Sequence, residues 1–318
     1  MADPEDVDVT VVIVNYNTRH LLEECLDSMW RAGDGLRLQV VIVDNASRDG
    51  SPEFIRDRFA DRCELVFNRE NVGFGRANNQ ALPLARGRHL LLLNTDAFVK
   101  EGSIADAVSY LDVHDACGLV GVRLEGRDGS LQPSCRYFPT PWNEFLLGTG
   151  LSRFFPWTRF VDDLAWDHCS VRACDWVPGC FYLVRRTVVE RVGLFDPRFF
   201  LYYEEVDHCH SIKQAGYEVV YFPGTTVVHL GGESAASDAA LDGASRQVSR
   251  LAIESAMLFH RKRHGRAGLA ALAALTVLGE AIAGAKSFWR GRPAPGWTRS
   301  STLFGLLGPT DFGLRPTR

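Results

Sequence analysis

Acidic residues and a histidine follow apolar runs at four points along the chain. They are Asp44 in VVIVD, Asp96 in LLLLNTD, the group Glu204, Glu205 and Asp207 in FFLYYEEVD, and His229 in VVYFPGTTVVH. If the apolar runs are parallel strands, their carboxyl ends place these groups on one edge of a sheet, where ligands of open α/β folds bind. Such groups can supply a metal ligand and a base. The pattern indicates a metal-bridged nucleotide donor and an acceptor that must lose a proton.

The acidic group at 204–207 gives the sharpest local signal. It follows an aromatic run and starts a predicted helix, on which Glu204 and Asp207 share one face and Glu205 points away. The alternative is ordinary acid enrichment at a helix N-terminus, which the helix dipole favours. His229 is compatible with metal binding through a neutral imidazole, although a single histidine is more often structural.

The N-terminal half alternates between predicted strands and helices. The strands are VTVVIV, Gln39–Asp44, CELVFN and HLLLLN. A helix is predicted over Thr18–Arg31, where apolar residues recur at helical spacing. Continuous apolar strands alternating with helices are typical of a parallel sheet that is buried on both faces. The sequence therefore predicts an α/β fold with a mostly parallel central sheet and flanking helices.

Two loops after strands carry residues that suit a nucleotide, and each has a simpler interpretation. Asp44 begins DNASRDGS, where a carboxylate can accept hydrogen bonds from a base or ribose, or can order a turn. Asn71, Gly73 and Arg76 lie in NVGFGR at the start of a helix, where backbone amides and the arginine can face phosphate. A plain glycine turn is the alternative for this second loop.

Length and composition are those of a soluble globular protein. The chain has 318 residues, of which 46% are hydrophobic and 23% charged, so one large domain with an appendage is expected. The acidic start MADPEDVDVT does not resemble a signal peptide, and eight cysteines occur without a CxxC pair. These features predict a reduced, cytoplasmic protein. No nucleic-acid partner is predicted, and the oligomeric state is left open.

Charge is distributed unevenly along the chain. Residues 246–318 contain twelve Lys or Arg and three Asp or Glu, a balance of +9, whereas the first 245 residues carry −13. The basic cluster HRKRHGR at 260–266 precedes an alanine- and leucine-rich stretch that ends near Trp289. This pattern favours peripheral contact with an anionic membrane. Packing of an ordinary C-terminal helix is an equal alternative, and a true span is less favoured because the stretch contains Glu280.

Seven motifs in one order resemble the inverting family 2 glycosyltransferases of the GT-A fold, in particular the bacterial rhamnosyltransferase-like branch. The motifs are VVIVNYNT, VIVDNASRDGS, NRENVGFGRANNQ, LLLNTDA, DWVPGCFYLVRR, GLFDPRFFLYYEEVDHCHSIKQAGY and VVHLGGES. The resemblance covers about Val9 to Ser234. It predicts a GT-A domain over residues 1–235 and a basic, helical C-terminal extension over 236–318.

The resemblance assigns roles to residues of this chain. It implies that Asp44 holds the nucleotide, that Asp96 binds Mg2+ or Mn2+ beneath the donor diphosphate, and that His229 approaches the metal. Glu205 matches the general base, with Asp207 as a rival. The predicted donor-binding residues are Val14, Tyr16, Asp44, Asn71, Gly73, Arg76, Asn94 and Thr95. The predicted acceptor-binding residues are Trp176, Pro178, Gly179 and Glu204.

Two positions depart from the family pattern. The metal motif reads Asn94-Thr95-Asp96, so its first position is neutral. The base position holds glutamate instead of aspartate, which lengthens the side chain by one methylene and keeps its chemistry.

The predicted reaction is a direct displacement that transfers a sugar from a nucleotide-diphosphate donor to a hydroxyl, with inversion. The acceptor is expected to be a saccharide or a lipid-linked saccharide in cell-surface polysaccharide or glycoconjugate synthesis, and the branch resembled suggests rhamnose from dTDP-rhamnose. A nucleotidyltransferase and a non-catalytic nucleotide-sugar-binding protein are the alternatives. A dinucleotide oxidoreductase is disfavoured because no GxGxxG follows the first strand.

Overall fold

Ten strands form a single mixed sheet in the computed structural model, which describes residues 7–33, 35–162, 166–231, 244–291, 293 and 296–318, with the backbone alone for 244–249. The strands are β1 (Val9–Asn15), β2 (Leu38–Asp44), β3 (Glu64–Phe67), β4 (His89–Leu93), β5 (Ala97–Val99), β6 (Cys117–Glu125), β7 (Leu131–Gln132), β8 (Arg172–Cys174), β9 (Phe181–Arg185) and β10 (Glu218–His229).

The first half of the sheet has the predicted parallel arrangement. The main sheet order is β3-β2-β1-β4-β9-β6-β10-β5, and β3, β2, β1 and β4 are all parallel. Asn15 at the end of β1 lies opposite Asp44 at the end of β2. The carboxyl ends of these strands therefore meet at one edge, as predicted.

The second half of the sheet is mixed. Strand β9 lies between β4 and β6 and is antiparallel to both, whereas β6 and β10 are parallel. The apolar sequence of β9, FYLVR, indicates a buried strand but carries no information on its direction, because burial on both faces gives the same pattern either way. The α/β class is confirmed, while the sheet is less uniformly parallel than predicted.

Helices cover both faces of the sheet. They are α1 (Arg19–Ala32), α2 (Ser51–Phe59), α3 (Phe74–Gln80), α4 (Ser103–Val113), α5 (Pro141–Thr149), α6 (Arg186–Val192), α7 (Glu204–Gln214), α8 (Ala244–Trp289) and α9 (Thr298–Leu307), with a short 3₁₀ helix at Ser152–Phe154. One apolar core joins β1 and β2 to α1, α2 and α4, and a second core joins the opposite face to α3, α6 and α7. This burial on both faces explains the continuous apolar strands.

The long helix α8 closes over the second core. It bends at Gly265, whose φ of 66° breaks the helical geometry. Before the bend, Leu258 and Phe259 are buried in the second core, and after it α8 packs against α5 and α9. A third apolar cluster joins Met257 and Leu272 of α8 to Leu303 of α9. The predicted helical C-terminal extension is present, and the predicted boundary at 235/236 lies outside the described residues.

Candidate active site

The ends of β1, β2 and β4 are joined by a chain of side-chain hydrogen bonds. Asn15 donates from Nδ2 to Asp44 Oδ2 at 2.8 Å, and the Thr18 hydroxyl donates to Asn15 Oδ1 at 2.8 Å. The hydroxyls of Thr18 and Thr95 are also 2.8 Å apart. Since Thr18 uses its proton on Asn15, Thr95 is the donor in that last bond. These hydrogen bonds fix Thr95, and with it the neighbouring Asp96, relative to β1 and β2.

Asp44 is the ordering group of this edge. It is only 1% exposed, its Oδ2 accepts from Asn15, and its Oδ1 accepts from the Ser47 amide at 3.0 Å. The turn that follows β2 contains Ala46 at a φ of 67°. The turn-ordering alternative for Asp44 therefore has direct geometric support. Its contact with a donor, which would use its remaining lone pairs, stays a prediction.

The predicted donor-side residues Val14 and Tyr16 lie half-buried at the end of β1. The next residue, Asn17, has a φ of 55°, and its amide donates to the Ser47 hydroxyl at 2.9 Å. A left-handed non-glycine residue costs about 1–3 kcal/mol, and such residues cluster at functional sites. The two turns at this edge are therefore held in demanding conformations by each other.

Asp96 and His229 come together as predicted for a metal pair. His229 Nε2 lies 3.6 Å from Asp96 Oδ1. The pairing of β10 with β5 sets this geometry, because His229 lies opposite Ala97 and the Leu230 amide donates to the Asp96 carbonyl at 3.0 Å. Asn94 follows β4, and its backbone amide donates to the Cys180 carbonyl at 3.1 Å.

The tautomer of His229 follows from its contacts with Gln132. Gln132 Nε2 donates to the His229 carbonyl at 2.8 Å, which orients the amide so that Oε1 faces His229 Nδ1 at 2.9 Å. Nδ1 must then carry the proton, and the Nε2 lone pair points toward Asp96. Burial lowers the pKa of His229, the Asp96 carboxylate opposes this shift, and Arg136 adds to it. A neutral imidazole fixed in this way is a suitable metal ligand.

The side chains of Asp96 and His229 suit Mg2+ or Mn2+ in a site where the protein and the diphosphate both supply ligands. A carboxylate oxygen and an imidazole nitrogen converge on one point, and in the described ranges no cluster of three or more His, Cys, Asp or Glu residues completes a closed cage. Divalent cations in phosphate-transfer sites are commonly held by one or two protein ligands together with diphosphate oxygens and water. Asp96 and His229 match that type of site.

The glycine turn at 71–76 holds the loop before α7. The Phe74 amide donates to the Phe200 carbonyl at 2.9 Å, and a Cβ at Gly73, whose φ is 90°, would collide with that carbonyl oxygen. Asn71 Oδ1 accepts from the Gly73 amide, and Arg76 Nε donates to the Pro197 carbonyl at 2.7 Å. The glycine-turn alternative therefore explains this segment. The prediction that Arg76 faces donor phosphate is wrong in this geometry, because its guanidinium lies against the 197–200 loop.

The predicted acceptor loop is packed around Arg136. Trp176 is 7% exposed, donates from Nε1 to the Tyr137 carbonyl at 2.9 Å, and lies 4.9 Å beneath the Arg136 guanidinium. Pro178 and Gly179 follow, half-buried, before β9. Arg136 also binds Asp162 at 2.9 Å.

Sequence reasoning missed Arg136. Its positive charge lowers the pKa of both Glu205 and His229, so it lies within electrostatic reach of the predicted base and of the predicted metal ligand. It stands alone in SCRYF, without a spacing that indicates a function, and only the pairing of its backbone with Trp176 brings it to the site.

A strained turn presents the two glutamates. Tyr202 and Tyr203 have φ values of 69° and 67°, which are unusual for consecutive aromatic residues. The turn is held from outside, since Ser255 of α8 donates to the Leu201 carbonyl at 2.8 Å and the Tyr203 hydroxyl donates to Glu144 of α5 at 3.0 Å. Glu204 and Glu205 follow as the first residues of α7.

Glu204 and Glu205 share a buried environment but differ in ionisation. Burial, followed by the charge of Glu205, raises the pKa of Glu204 well above its usual value. Burial also raises the pKa of Glu205, while backbone hydrogen bonds and Arg136 oppose the shift. Within the described chain, Oε2 of each glutamate has no hydrogen-bond partner. The pKa of Glu204 is therefore raised further than that of Glu205, and Glu204 is the member of the pair that holds a proton more readily.

Glu204 is less exposed than a residue that binds the acceptor is expected to be. Glu204 is 4% exposed and packs near Gly75, beneath the glycine turn, whereas Glu205 is only partly buried. The structure thus separates the neighbouring glutamates into an inner acid and an outer carboxylate.

Asp207 is bound in an ion-pair cluster with α8. Its Oδ2 accepts from Lys262 Nζ at 2.7 Å and its Oδ1 accepts from Arg263 Nε at 2.7 Å, while the Asp207 side chain is 3% exposed. Lys262 also binds Asp196 at 2.7 Å. Asp207 as a rival base is therefore contradicted by its geometry, because both oxygens already hold cations. Lys262 and Arg263 of HRKRHGR thus bind acids of the protein, which supports the alternative of helix packing for this part of the basic cluster.

Comparison with known proteins identifies the family of this site. The sequence profile of glycosyl transferase family 2 matches residues 10–164, which contain Asp44, Asp96 and Arg136. An N-acetylglucosaminyl-diphospho-decaprenol L-rhamnosyltransferase of Mycobacterium tuberculosis (strain ATCC 25618 / H37Rv) is 28% identical over 248 residues, covering 72% of this chain and 78% of that protein. Rhamnosyltransferase WbbL of Escherichia coli (strain K12) is 26% identical over 168 residues, covering 49% of this chain and 60% of that protein.

Solved structures agree on the fold. A mannosyltransferase from Pyrobaculum calidifontis, solved in complex with GDP-Man and Mn2+, matches with a TM-score of 0.56 at 20% identity, covering 98% of this chain and 89% of that one. The TarS fragment 1–349 of S. aureus matches with a TM-score of 0.52 at 15% identity, covering 96% and 92%. The motifs, the fold and the relatives therefore agree: residues 10–164 form a glycosyl transferase family 2 domain on a GT-A fold, and rhamnosyltransferases are among the proteins that this chain resembles.

Proposed function

We propose that the chain transfers a sugar from a nucleotide-diphosphate donor to an acceptor hydroxyl in one metal-dependent, inverting displacement. The observation that carries this proposal is the arrangement around Arg136. The Asp96–His229 pair, with its fixed neutral imidazole, and the carboxylate of Glu205 are both influenced by the Arg136 charge. One cation thus acts on both the ligand pair for the donor diphosphate and the base for the acceptor.

On the donor side, Asp96 and His229 would hold Mg2+ or Mn2+, and the ion would neutralise charge that develops on the leaving diphosphate. Tyr16 and the turn ordered by Asp44 would contact the nucleoside, since they form the edge of the sheet beside Asp96. The Arg136 charge acts on His229 and would favour the anionic leaving group.

On the acceptor side, Glu205 removes the hydroxyl proton. The acceptor oxygen then attacks the anomeric carbon from the face opposite the diphosphate, the bond to the diphosphate oxygen breaks, and its electron pair leaves with the nucleotide. Configuration inverts in this single step. Glu204 remains protonated beside the base, so the pair carries one negative charge before transfer and none after it.

Rhamnose from dTDP-rhamnose and a lipid-linked saccharide acceptor are the specific substrates we propose. The support is the M. tuberculosis relative, whose name specifies a rhamnosyl group and an N-acetylglucosaminyl-diphospho-decaprenol acceptor. With these substrates the reaction would belong to the synthesis of cell-surface polysaccharide or glycoconjugate.

A donor panel tests the proposal. Purified protein with Mn2+, Mg2+ or excess EDTA is incubated with nucleotide-sugars and acceptors, and both nucleotide diphosphate release and the glycosylated product are measured. Transfer should require the metal, and Asp96→Ala should abolish it and weaken metal-dependent donor binding. Full transfer in EDTA would remove the metal assignment, and donor binding without product from any acceptor would favour a non-catalytic binding protein.

A further inference from the structure

Exposed large hydrophobic side chains are concentrated in two segments of the chain. Of the thirteen in the described chain, eleven lie within residues 142–157 or 278–314. The two segments are neighbours, because α5 packs along α8 and Lys286 binds the Thr149 carbonyl. Contiguous apolar patches on soluble proteins mark contact surfaces. We call Trp142, Phe154, Trp157, Phe288, Trp289 and Trp297 the aromatic face.

Aromatic rings extend outward from α5 in a row. The Trp142 ring lies 5.6 Å from Phe145 and 5.5 Å from Phe155, which lies 5.6 Å from Trp157. Phe145 is buried, whereas Trp157 is 75% exposed. The row therefore leads from the core to the surface and holds Trp157 in a defined position.

The outward side of α8 after Gly265 is apolar. Its exposed residues include Ala270, Ala274, Leu278 and Ala281, and the helix ends in Phe288 and Trp289, which are 82% and 87% exposed. By length and composition Arg250–Trp289 is apolar enough to cross a membrane, and only 11% of its most apolar stretch is buried. A surface helix in water normally places polar residues on its outer face.

Glu280, which argues against a true membrane span in the sequence, faces the protein. Its two carboxylate oxygens accept hydrogen bonds from the Arg299 and Ser300 amides at 2.8 and 3.2 Å, at the start of α9. From residue 266 to the end, seven Lys or Arg stand against two Asp or Glu, and both Lys286 and Arg290 flank the exposed end of α8. Apolar surface with tryptophans and flanking cations matches the interface of an anionic bilayer.

We propose that the aromatic face embeds in the headgroup layer of an anionic bilayer, with α8 after Gly265 lying in the plane of the membrane. Packing of this arm on α5 and α9 is the reason that it lies on the membrane and does not cross it. The same elements hold the turn before the predicted base, through Glu144 and Ser255. The acceptor side of the cleft would thus adjoin the bilayer.

Vesicle binding tests this inference without donor, acceptor or turnover, so its failure is separate from failure of the proposed function. Full-length protein is co-sedimented with phosphatidylcholine vesicles that contain or lack phosphatidylglycerol. Wild type should co-sediment with the anionic vesicles and bind the neutral vesicles more weakly. Phe288→Asp with Trp289→Asp, and separately Phe154→Asp with Trp157→Asp, should weaken binding about tenfold or more. Val113→Asp, at a position that is 76% exposed and outside the face, is the matched control.

Depth and self-association complete the test. Lipids brominated near the headgroup should quench tryptophan emission more than lipids brominated near the chain end. Stronger quenching by the deeper bromine would indicate a span and overturn the in-plane arrangement. The bilayer would be overturned as the occupant of this face if wild type does not bind vesicles or if the aspartate variants bind as well as wild type. It would also be overturned if the protein forms a concentration-dependent dimer that the same variants abolish.

Discussion

Glu204, Glu205 and Asp207 lie within one turn of α7, yet their surroundings give them different chemistry. Glu204 is an inner acid, Glu205 a carboxylate beside Arg136, and Asp207 a partner of Lys262 and Arg263. The sequence predicts the group and its helical spacing. It does not predict the cations on Asp207, because they come from a helix 55 and 56 residues further along the chain.

Arg136→Gln should move the pH dependence of transfer. The Arg136 charge lowers the pKa of Glu205, so its removal raises that pKa and makes the carboxylate harder to form. The acid limb of the kcat/KM profile should therefore shift to higher pH. Arg56→Gln, on the exposed side of α2, is the control. A variant with a reduced rate but an unmoved acid limb would show that Arg136 does not act on the base.

Among the elements, the strands of the first half of the sheet are readable from sequence and their tertiary partners are not. The runs VTVVIV and HLLLLN form β1 and β4, because continuous burial leaves a continuous apolar pattern. The direction of β9 and the closeness of Gly73 to Phe200 depend on contacts between distant segments. The contact of Arg76 with the Pro197 carbonyl also joins distant segments, so the sequence around Arg76 does not indicate it.

The contact between α7 and α8 should stabilise the fold. Asp207→Asn removes the charge that two cations share in a buried cluster, and breaking such a pair costs about 3 kcal/mol or more. Urea unfolding should show this loss, whereas Asp57→Asn, exposed on α2, should show almost none. If Asp207→Asn leaves the free energy of unfolding unchanged and abolishes transfer, Asp207 is the base after all.

For the whole molecule, the basic C-terminal region and the acidic first 245 residues are joined by ion pairs. Part of the basic tail neutralises acids of the N-terminal region, since Lys262 binds both Asp196 and Asp207. The sequence therefore predicts the charge asymmetry correctly but not where that charge is used. The exposed apolar surface next to it depends on which side of α8 packs against α5 and α9, which composition alone does not decide.

Acid should destabilise the protein through two buried histidines. Burial lowers the pKa of His208 to about 4 and that of His260 to about 3, below the unfolded value of about 6.5. The unfolded chain then binds more protons as pH falls below about 6.5, so stability is lost from there down to the folded pKa values, by about 2 kcal/mol for each group at pH 5. Urea unfolding between pH 7.5 and 5 measures this loss.

The histidine origin of this loss has its own control. His260→Leu removes one buried titration and should reduce the pH dependence by about half. His114→Leu, at an exposed position, should leave it unchanged. Equal pH dependence in wild type and His260→Leu would assign the acid sensitivity to other groups.

The most direct test of the central claim compares isosteric variants of the neighbouring glutamates under single-turnover conditions with Mn2+. Glu205→Gln should bind the donor with near-normal affinity and lose about two to four orders of magnitude in transfer rate, the usual contribution of a general base. Glu204→Gln should retain most of the rate, because burial raises the pKa of Glu204 and a neutral amide replaces a group that favours its protonated form. Transfer at the wild-type rate by Glu205→Gln, with the loss appearing in Glu204→Gln instead, would contradict the proposed mechanism.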